Sequence, residues 1–127
     1  MKRVSFEMEF IFNASPTILY KFFTTADRLI RWYCDAADIQ KEVFTYSWGG
    51  EAEVAILIDH VEKERLRFKT DDHEDDEYLE FRFNRSPVTN DTILEITDFC
   101  DDDEVEESKK LWTTQMGELR VASGGRR

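Results

Sequence analysis

Apolar side chains occupy every second position between residues 4 and 12, with mostly polar residues between them. This alternation predicts a strand with one buried face. Ser15 and Pro16 follow directly and suit the N-cap and the first position of a helix, respectively. The apolar run at 18–23 and the segment 25–33 then predict two short helices before strand periodicity returns.

Five further segments are predicted to be strands, at 41–48, 51–59, 65–69, 79–83 and 92–99. The connections between them are too short for crossover helices, so together with the first strand they predict an antiparallel sheet of six strands. Gly49 and Gly50 suit a tight hairpin turn. Two strands have a defined apolar face, formed by Ala52, Val54, Ile56 and Ile58 in one and by the inward-facing Leu94 and Ile96 in the other.

The last predicted element is a helix over residues 102–122, because its apolar positions recur at helical spacing. Acidic residues at 101–107 lie at its start, where the helix dipole favours negative charge. Gly124 and Gly125 suit a helix stop, and residues 123–127 are expected to fray. The sequence therefore predicts one α+β domain, residues 1–127, in which the final helix crosses the concave face of a strongly bent sheet.

Composition narrows the classes of partner. The chain has 127 residues, which suits one domain, and a net charge of −11. That charge argues against phosphate contacts with nucleic acid and against binding to an anionic membrane surface. The N-terminus does not resemble a signal peptide, and no apolar run reaches the roughly 20 residues of a membrane span, so we expect a cytoplasmic protein. Cys34 and Cys100 are then expected to be reduced and structural.

Candidate chemistry is sparse in this sequence. The acidic run at 71–77 lacks the residue order of a calcium loop, which favours a solvated hairpin tip. The run at 101–107 fits helix-start electrostatics, with a docking surface for a basic partner as the alternative. His60 and His73 lie in predicted turns without a second ligand at metal spacing, so both are interpreted as surface histidines. No metal, cofactor or catalytic residue is predicted.

Three polar residues could face the interior: Tyr46, Asp59 and Asp98. A carboxylate beside an apolar pocket can have a raised pKa and carry a proton. The parity at the end of the last strand is equally compatible with an outward Asp98, so both orientations stay open.

The order of one strand, two short helices, a strand meander and a long final helix resembles the helix-grip fold. This is the fold of the START-like (SRPBCC) superfamily, which includes birch-pollen-allergen-like proteins. The segments 14–22, 27–32, 46–50 and 111–119 are similar to the branch named after the activator of the ninety-kilodalton heat-shock chaperone's ATPase. These motifs are structural, and one fold hosts many functions.

The resemblance implies an apolar cavity between the sheet and the final helix that accepts a lipid-like or polyketide-like molecule. The alternative is a core filled by its own side chains, as protein interiors normally are. The candidate lining residues are Trp32, Trp48, Phe81, Phe83, Leu94, Ile96, Trp112, Met116 and Leu119.

Three functions follow as hypotheses. The favoured one is a binding or carrier domain for a small hydrophobic ligand, without enzymatic activity. The second is a chaperone-activator-like interaction module whose acidic edges meet a basic protein partner. The third is a cyclase- or hydrolase-like enzyme, which would need a carboxylate or histidine inside the cavity. An exposed edge strand is compatible with either a monomer or a homodimer.

Overall fold

The computed structural model describes residues 2–124. Within them, seven strands form one antiparallel sheet in the order β1-β7-β6-β5-β4-β3-β2, which agrees with the predicted α+β helix-grip architecture. The elements, in chain order, are β1 Arg3–Phe12, α1 Pro16–Thr24, α2 Ala26–Leu29, β2 Ala36–Gln40, β3 Val43–Trp48, β4 Glu51–Val61, β5 Arg65–Thr70, β6 Leu79–Arg85, β7 Thr92–Asp101 and α3 Val105–Ala122.

The predicted start of α1 is confirmed. The Ser15 hydroxyl accepts a hydrogen bond from the Ile18 backbone N–H at 3.2 Å, and Pro16 occupies the first turn, where no N–H is needed. The Trp32 indole N–H, just beyond α2, donates to the Phe22 carbonyl oxygen at 2.9 Å. This bond ties the end of the second helix to the first.

The predicted count of six strands was wrong by one, because β2 was missed. Its sequence is Ala-Ala-Asp-Ile-Gln, which has little of the β-branched and aromatic content that marks strands. Only Ala37 and Ile39 are half-buried, since β2 is an edge strand that pairs with β3 alone. Pairing with a well-formed neighbour therefore makes this segment a strand.

The turn between β3 and β4 has the predicted form. Gly49 and Gly50 have φ angles of +51° and +94°, and the strands pair up to Trp48 and Glu51 on either side. Two positive φ angles in a two-residue loop suit a hairpin turn that matches the strand twist. In β4, however, the apolar residues Val54, Ile56 and Ile58 are exposed, and the buried position is Ala55.

The final helix begins at Val105, three residues later than the predicted start at 102. Its inward side buries Trp112, Met116 and Leu119, and the Trp112 ring packs edge-on against Phe81 at 5.6 Å between centroids. Gly124, with φ +87°, follows the C-cap, as predicted. Of the tail expected to fray, residues 125–127 lie outside the described part of the chain.

The C-terminal half of α3 is fixed to the end of β1. The Arg120 guanidinium donates to the Ile11 carbonyl oxygen at 3.0 Å and lies 5.1 Å from the centroid of the Phe12 ring. The N-terminal half lies over the far ends of the strands, where the space between helix and sheet forms the candidate site.

Candidate functional site

A cleft of about 910 Å³ lies between the first turns of α3, the β5–β6 loop (residues 71–78) and the concave side of the sheet. We call it the polar cleft. Both polar and apolar groups line it, among them Tyr33, Glu53, His73, Leu79, Asp98 and Trp112.

Asp98 joins three elements of this cleft, so the inward orientation is the one that the structure has. Its Oδ1 accepts hydrogen bonds from the His73 Nε2 and from the Phe99 backbone N–H, both at 2.9 Å. Its Oδ2 accepts a longer bond of 3.4 Å from the Trp112 indole N–H. One carboxylate of β7 thus positions the β5–β6 loop and α3.

The prediction of a surface histidine was wrong for His73, whose side chain is only 5 % exposed. The Thr70 backbone N–H donates to His73 Nδ1 at 3.1 Å, which leaves Nε2 to carry the proton that bonds Asp98. Both ring nitrogens are therefore engaged. A histidine acting as a general base needs a free nitrogen facing its substrate, so this arrangement suits a structural role.

The acidic run at 71–77 is exposed at five of its seven residues, as predicted, but Glu77, like His73, departs from the predicted solvated tip. Glu77 is 5 % exposed and its carboxylate is bound by the Arg3 guanidinium at 2.6 Å, which holds the Glu77 pKa below its usual range. The Lys69 ammonium donates to the Asp75 and Glu77 carbonyl oxygens at 3.0 and 2.8 Å. These bonds fix the loop beside the cleft, and no sequence pattern indicated them.

Glu53, an exposed residue of β4, lines the polar cleft. It lies opposite Tyr46 in the β3–β4 register, so both residues face the concave side. Burial, followed by repulsion from Asp72 and Asp98, raises the Glu53 pKa. Burial and the nearby Glu53 charge likewise raise the Tyr33 pKa.

Beyond Glu53 the cleft meets a small apolar pocket of about 20 Å³, room for about one water molecule. Tyr33, Glu53, Thr70 and Leu79 line both spaces, so the two are adjacent. We call the second space the apolar pocket; its remaining walls are Phe23, Leu29, Trp32, Tyr46, Ala55, Phe68 and Phe81.

The nine predicted ligand-binding residues separate into three groups. Trp112 lines the polar cleft, and Trp32 and Phe81 line the apolar pocket. The others line neither of these two cavities: Phe83, Leu94, Ile96, Met116 and Leu119 are buried in the core, and Trp48 is half-buried with its indole N–H on the Tyr33 carbonyl oxygen at 2.7 Å. Contact between these nine residues and a ligand stays a prediction.

The other sequence candidates lie outside the cleft or are inert. His60 is exposed, as predicted, and Asp59 points outward to the Arg65 guanidinium at 2.8 Å. Cys34 and Cys100 are buried free thiols, and burial raises the pKa of each. Cys100 also lines the cleft. Residues 2–124 contain no cluster of three or more side chains able to hold a metal ion. Among the described helices, none has the length and apolar content needed to cross a membrane.

A curved antiparallel sheet that holds a long C-terminal helix over a cleft defines a helix-grip domain. The chain belongs to the START-like superfamily, whose domain model matches residues 1–125. No curated protein matches the sequence.

Solved structures agree with this assignment. A Bacteroides fragilis protein, solved in solution, is 31 % identical over 100 % of this chain and 96 % of its own, with a TM-score of 0.69. The Aha1 dimer of Colwellia psychrerythraea is 15 % identical over 98 % and 99 % of the two chains, with a TM-score of 0.80. An AHSA1-like protein of Aeromonas hydrophila is 12 % identical over 94 % and 91 %, with a TM-score of 0.77. The last two likenesses establish the fold alone.

Proposed function

We propose that this START-like domain binds a small molecule with both apolar and polar parts in the polar cleft. The observation that carries the proposal is the cleft itself, because about 910 Å³ is within the roughly 300–1,000 Å³ typical of ligand pockets. The ligand's apolar part would contact Leu79, Tyr33 and Trp112. This proposal departs from the favoured hypothesis of an apolar cavity between sheet and helix, since the apolar pocket has room for only about one water molecule.

Two adjacent threonines of α3 provide a matched test. Thr114 lines the polar cleft, whereas Thr113 does not, and both are exposed. Thr114→Trp is expected to fill the cleft and weaken binding of the neutral dye Nile red at least tenfold. Thr113→Trp adds the same side chain outside the cleft and should leave binding unchanged. Equal affinities in the two variants, or no dye binding and no co-purifying molecule in native mass spectrometry, would count against the proposal.

The second candidate is a protein-interaction module, with or without self-association into a homodimer. The exposed acidic residues Asp102, Asp103 and Glu106 favour it, because they lie together at the start of α3 and are free to meet a basic surface. A partner retained by the immobilised protein should elute at moderate salt. The triple variant Asp102→Asn, Asp103→Asn, Glu106→Gln should retain less of it; unchanged retention would exclude this surface.

A further inference from the structure

We infer that the polar cleft selects ligands carrying a protonated amine beside an apolar group, and that Glu53 is the carboxylate that receives the amine. This inference rests on the proposed function of the cleft. It names the charge and the shape of the ligand, which the volume of the cleft alone does not.

The first observation is the unused carboxylate of Glu53. Glu53 is exposed to solvent and lines both the polar cleft and the apolar pocket, and within residues 2–124 no side-chain hydrogen bond or salt bridge engages its oxygens. The contrast with Asp98 is direct, because Asp98 has both oxygens occupied by protein donors. A carboxylate at the junction of polar and apolar spaces is free to accept charge-assisted hydrogen bonds from a ligand.

The second observation is the Tyr46 hydroxyl. Tyr46 is 6 % exposed and lines the apolar pocket, and within the described part of the chain its hydroxyl forms no hydrogen bond and keeps some contact with solvent. The hydroxyl is therefore free to donate or accept a hydrogen bond. Tyr33 and Tyr46 pack edge-on with 4.8 Å between centroids, beside Glu53. Aromatic rings next to a carboxylate favour an organic cation, since their faces attract positive charge.

The third observation is the sign of the surrounding charge. Six residues that line the polar cleft are acidic, whereas only Arg3 and Lys110 among its lining residues are permanently positive. Arg3 is already paired with Glu77 and Asp101. The repulsion from Asp72 and Asp98 that raises the Glu53 pKa would be relieved by a bound cation. An anionic ligand would meet the same field as a penalty.

Three probes that differ in one group test the inference: phenethylamine, the neutral phenethyl alcohol and the anionic phenylpropionate. Binding is followed by backbone amide shifts of residues lining the cleft. The amine is expected to bind at least tenfold more tightly than the alcohol, and the anion most weakly. Equal binding of amine and alcohol would overturn the inference and leave the proposed function intact. If none of the probes binds, the inference fails; Nile red binding then decides the proposed function separately.

Glu53→Gln keeps the size of the side chain and removes its charge. This variant should weaken binding of the amine at least tenfold and binding of the alcohol less than twofold. Glu51→Gln is the matched control, because it makes the same change on the same strand outside both cavities. If Glu51→Gln weakens the amine as much as Glu53→Gln does, the effect belongs to overall charge and the inference is wrong.

Discussion

Asp98 is the residue that organises the cleft, because one side chain accepts bonds from the β5–β6 loop, from its own strand and from α3. Its removal would leave the buried His73 Nε2 proton without an acceptor. Unsatisfied buried donors cost more than the net worth of a hydrogen bond. The stability of the site therefore depends on an acceptor at this position more than on a charge.

Asp98→Ala is expected to lower the free energy of unfolding by about 1–3 kcal/mol. Asp98→Asn should cost less, because its amide oxygen still accepts from His73 and only the longer Trp112 bond is lost. Urea denaturation of the three proteins measures both differences. Equal losses of unfolding free energy in Asp98→Asn and Asp98→Ala would mean that the negative charge, and not the acceptor, holds the network together.

The Asp98 carboxylate stabilises the fold, whereas the charge of Glu53 is predicted to destabilise it at pH 7. The Glu53 pKa is raised on folding, so the stabilising effect of its proton is fully present below the unfolded pKa and is lost as pH rises through the folded value. Glu53→Gln should therefore be more stable than the wild type at pH 7. The gain should stay below about 1 kcal/mol, because partial exposure to solvent screens the repulsion.

The pH dependence makes this prediction specific. At about pH 3 the carboxyl group is protonated in both folded and unfolded states, so the advantage of Glu53→Gln should disappear. Urea denaturation at the two pH values compares the variant with the wild type, and Glu51→Gln reports the effect of losing one charge from β4 elsewhere. A variant less stable than the wild type at pH 7 would show that the Glu53 charge supports the fold, contrary to the argument above.

At the scale of elements, replacing a glycine by alanine is expected to have opposite effects on stability in the β3–β4 turn and in helix α3. Gly50 has φ +94°, where an L side chain is strained, so Gly50→Ala should lower the free energy of unfolding by about 1–2 kcal/mol. Gly117 lies inside α3 with open space around the position of a Cβ atom. Gly117→Ala should therefore raise the free energy of unfolding by about 0.5–1 kcal/mol. Thermal unfolding measures both, and a change of the same sign in the two variants would contradict the assigned backbone roles.

Local signals with one clear cause predicted most of the elements. The N-cap of α1, the Gly49–Gly50 turn and the inward Leu94 and Ile96 of β7 all follow from side-chain chemistry or alternation, and each is confirmed. β2 could not be predicted in this way, because its residues have weak strand preference and depend on pairing with β3. The order of helices and strands along the chain was therefore easier to predict than the number of strands.

The site was less predictable for a related reason. In β4 the apolar alternation draws attention to Val54, Ile56 and Ile58, which are exposed, and Glu53 lies on the other face, toward the cleft. His73 and Glu77 lie in an acidic run typical of a solvated loop. They are buried only because Asp98 and Arg3, 25 and 74 residues away in the chain, supply partners. Such long-range pairs leave no local pattern in a single sequence.

At the scale of the whole molecule, the net charge of −11 predicts how stability responds to salt. Uncompensated negative charge repels itself more strongly in the compact state, and salt screens that repulsion. The ion pairs of Arg3 with Glu77 and of Arg67 with Glu80 oppose this effect. Both carboxylates are only 5 % exposed, however, so salt weakens these pairs less than it weakens surface repulsion.

The free energy of unfolding at pH 7 is therefore expected to rise as NaCl increases from about 0.01 M to about 0.15 M, where the screening length falls from roughly 30 to 8 Å. At about pH 4.5 many carboxylates are protonated and the repulsion is small, so the same salt step should have little effect. Urea denaturation at the four conditions measures both responses. Stability that falls with salt at pH 7 would mean that the ion pairs outweigh the repulsion among the carboxylates, including those around the polar cleft.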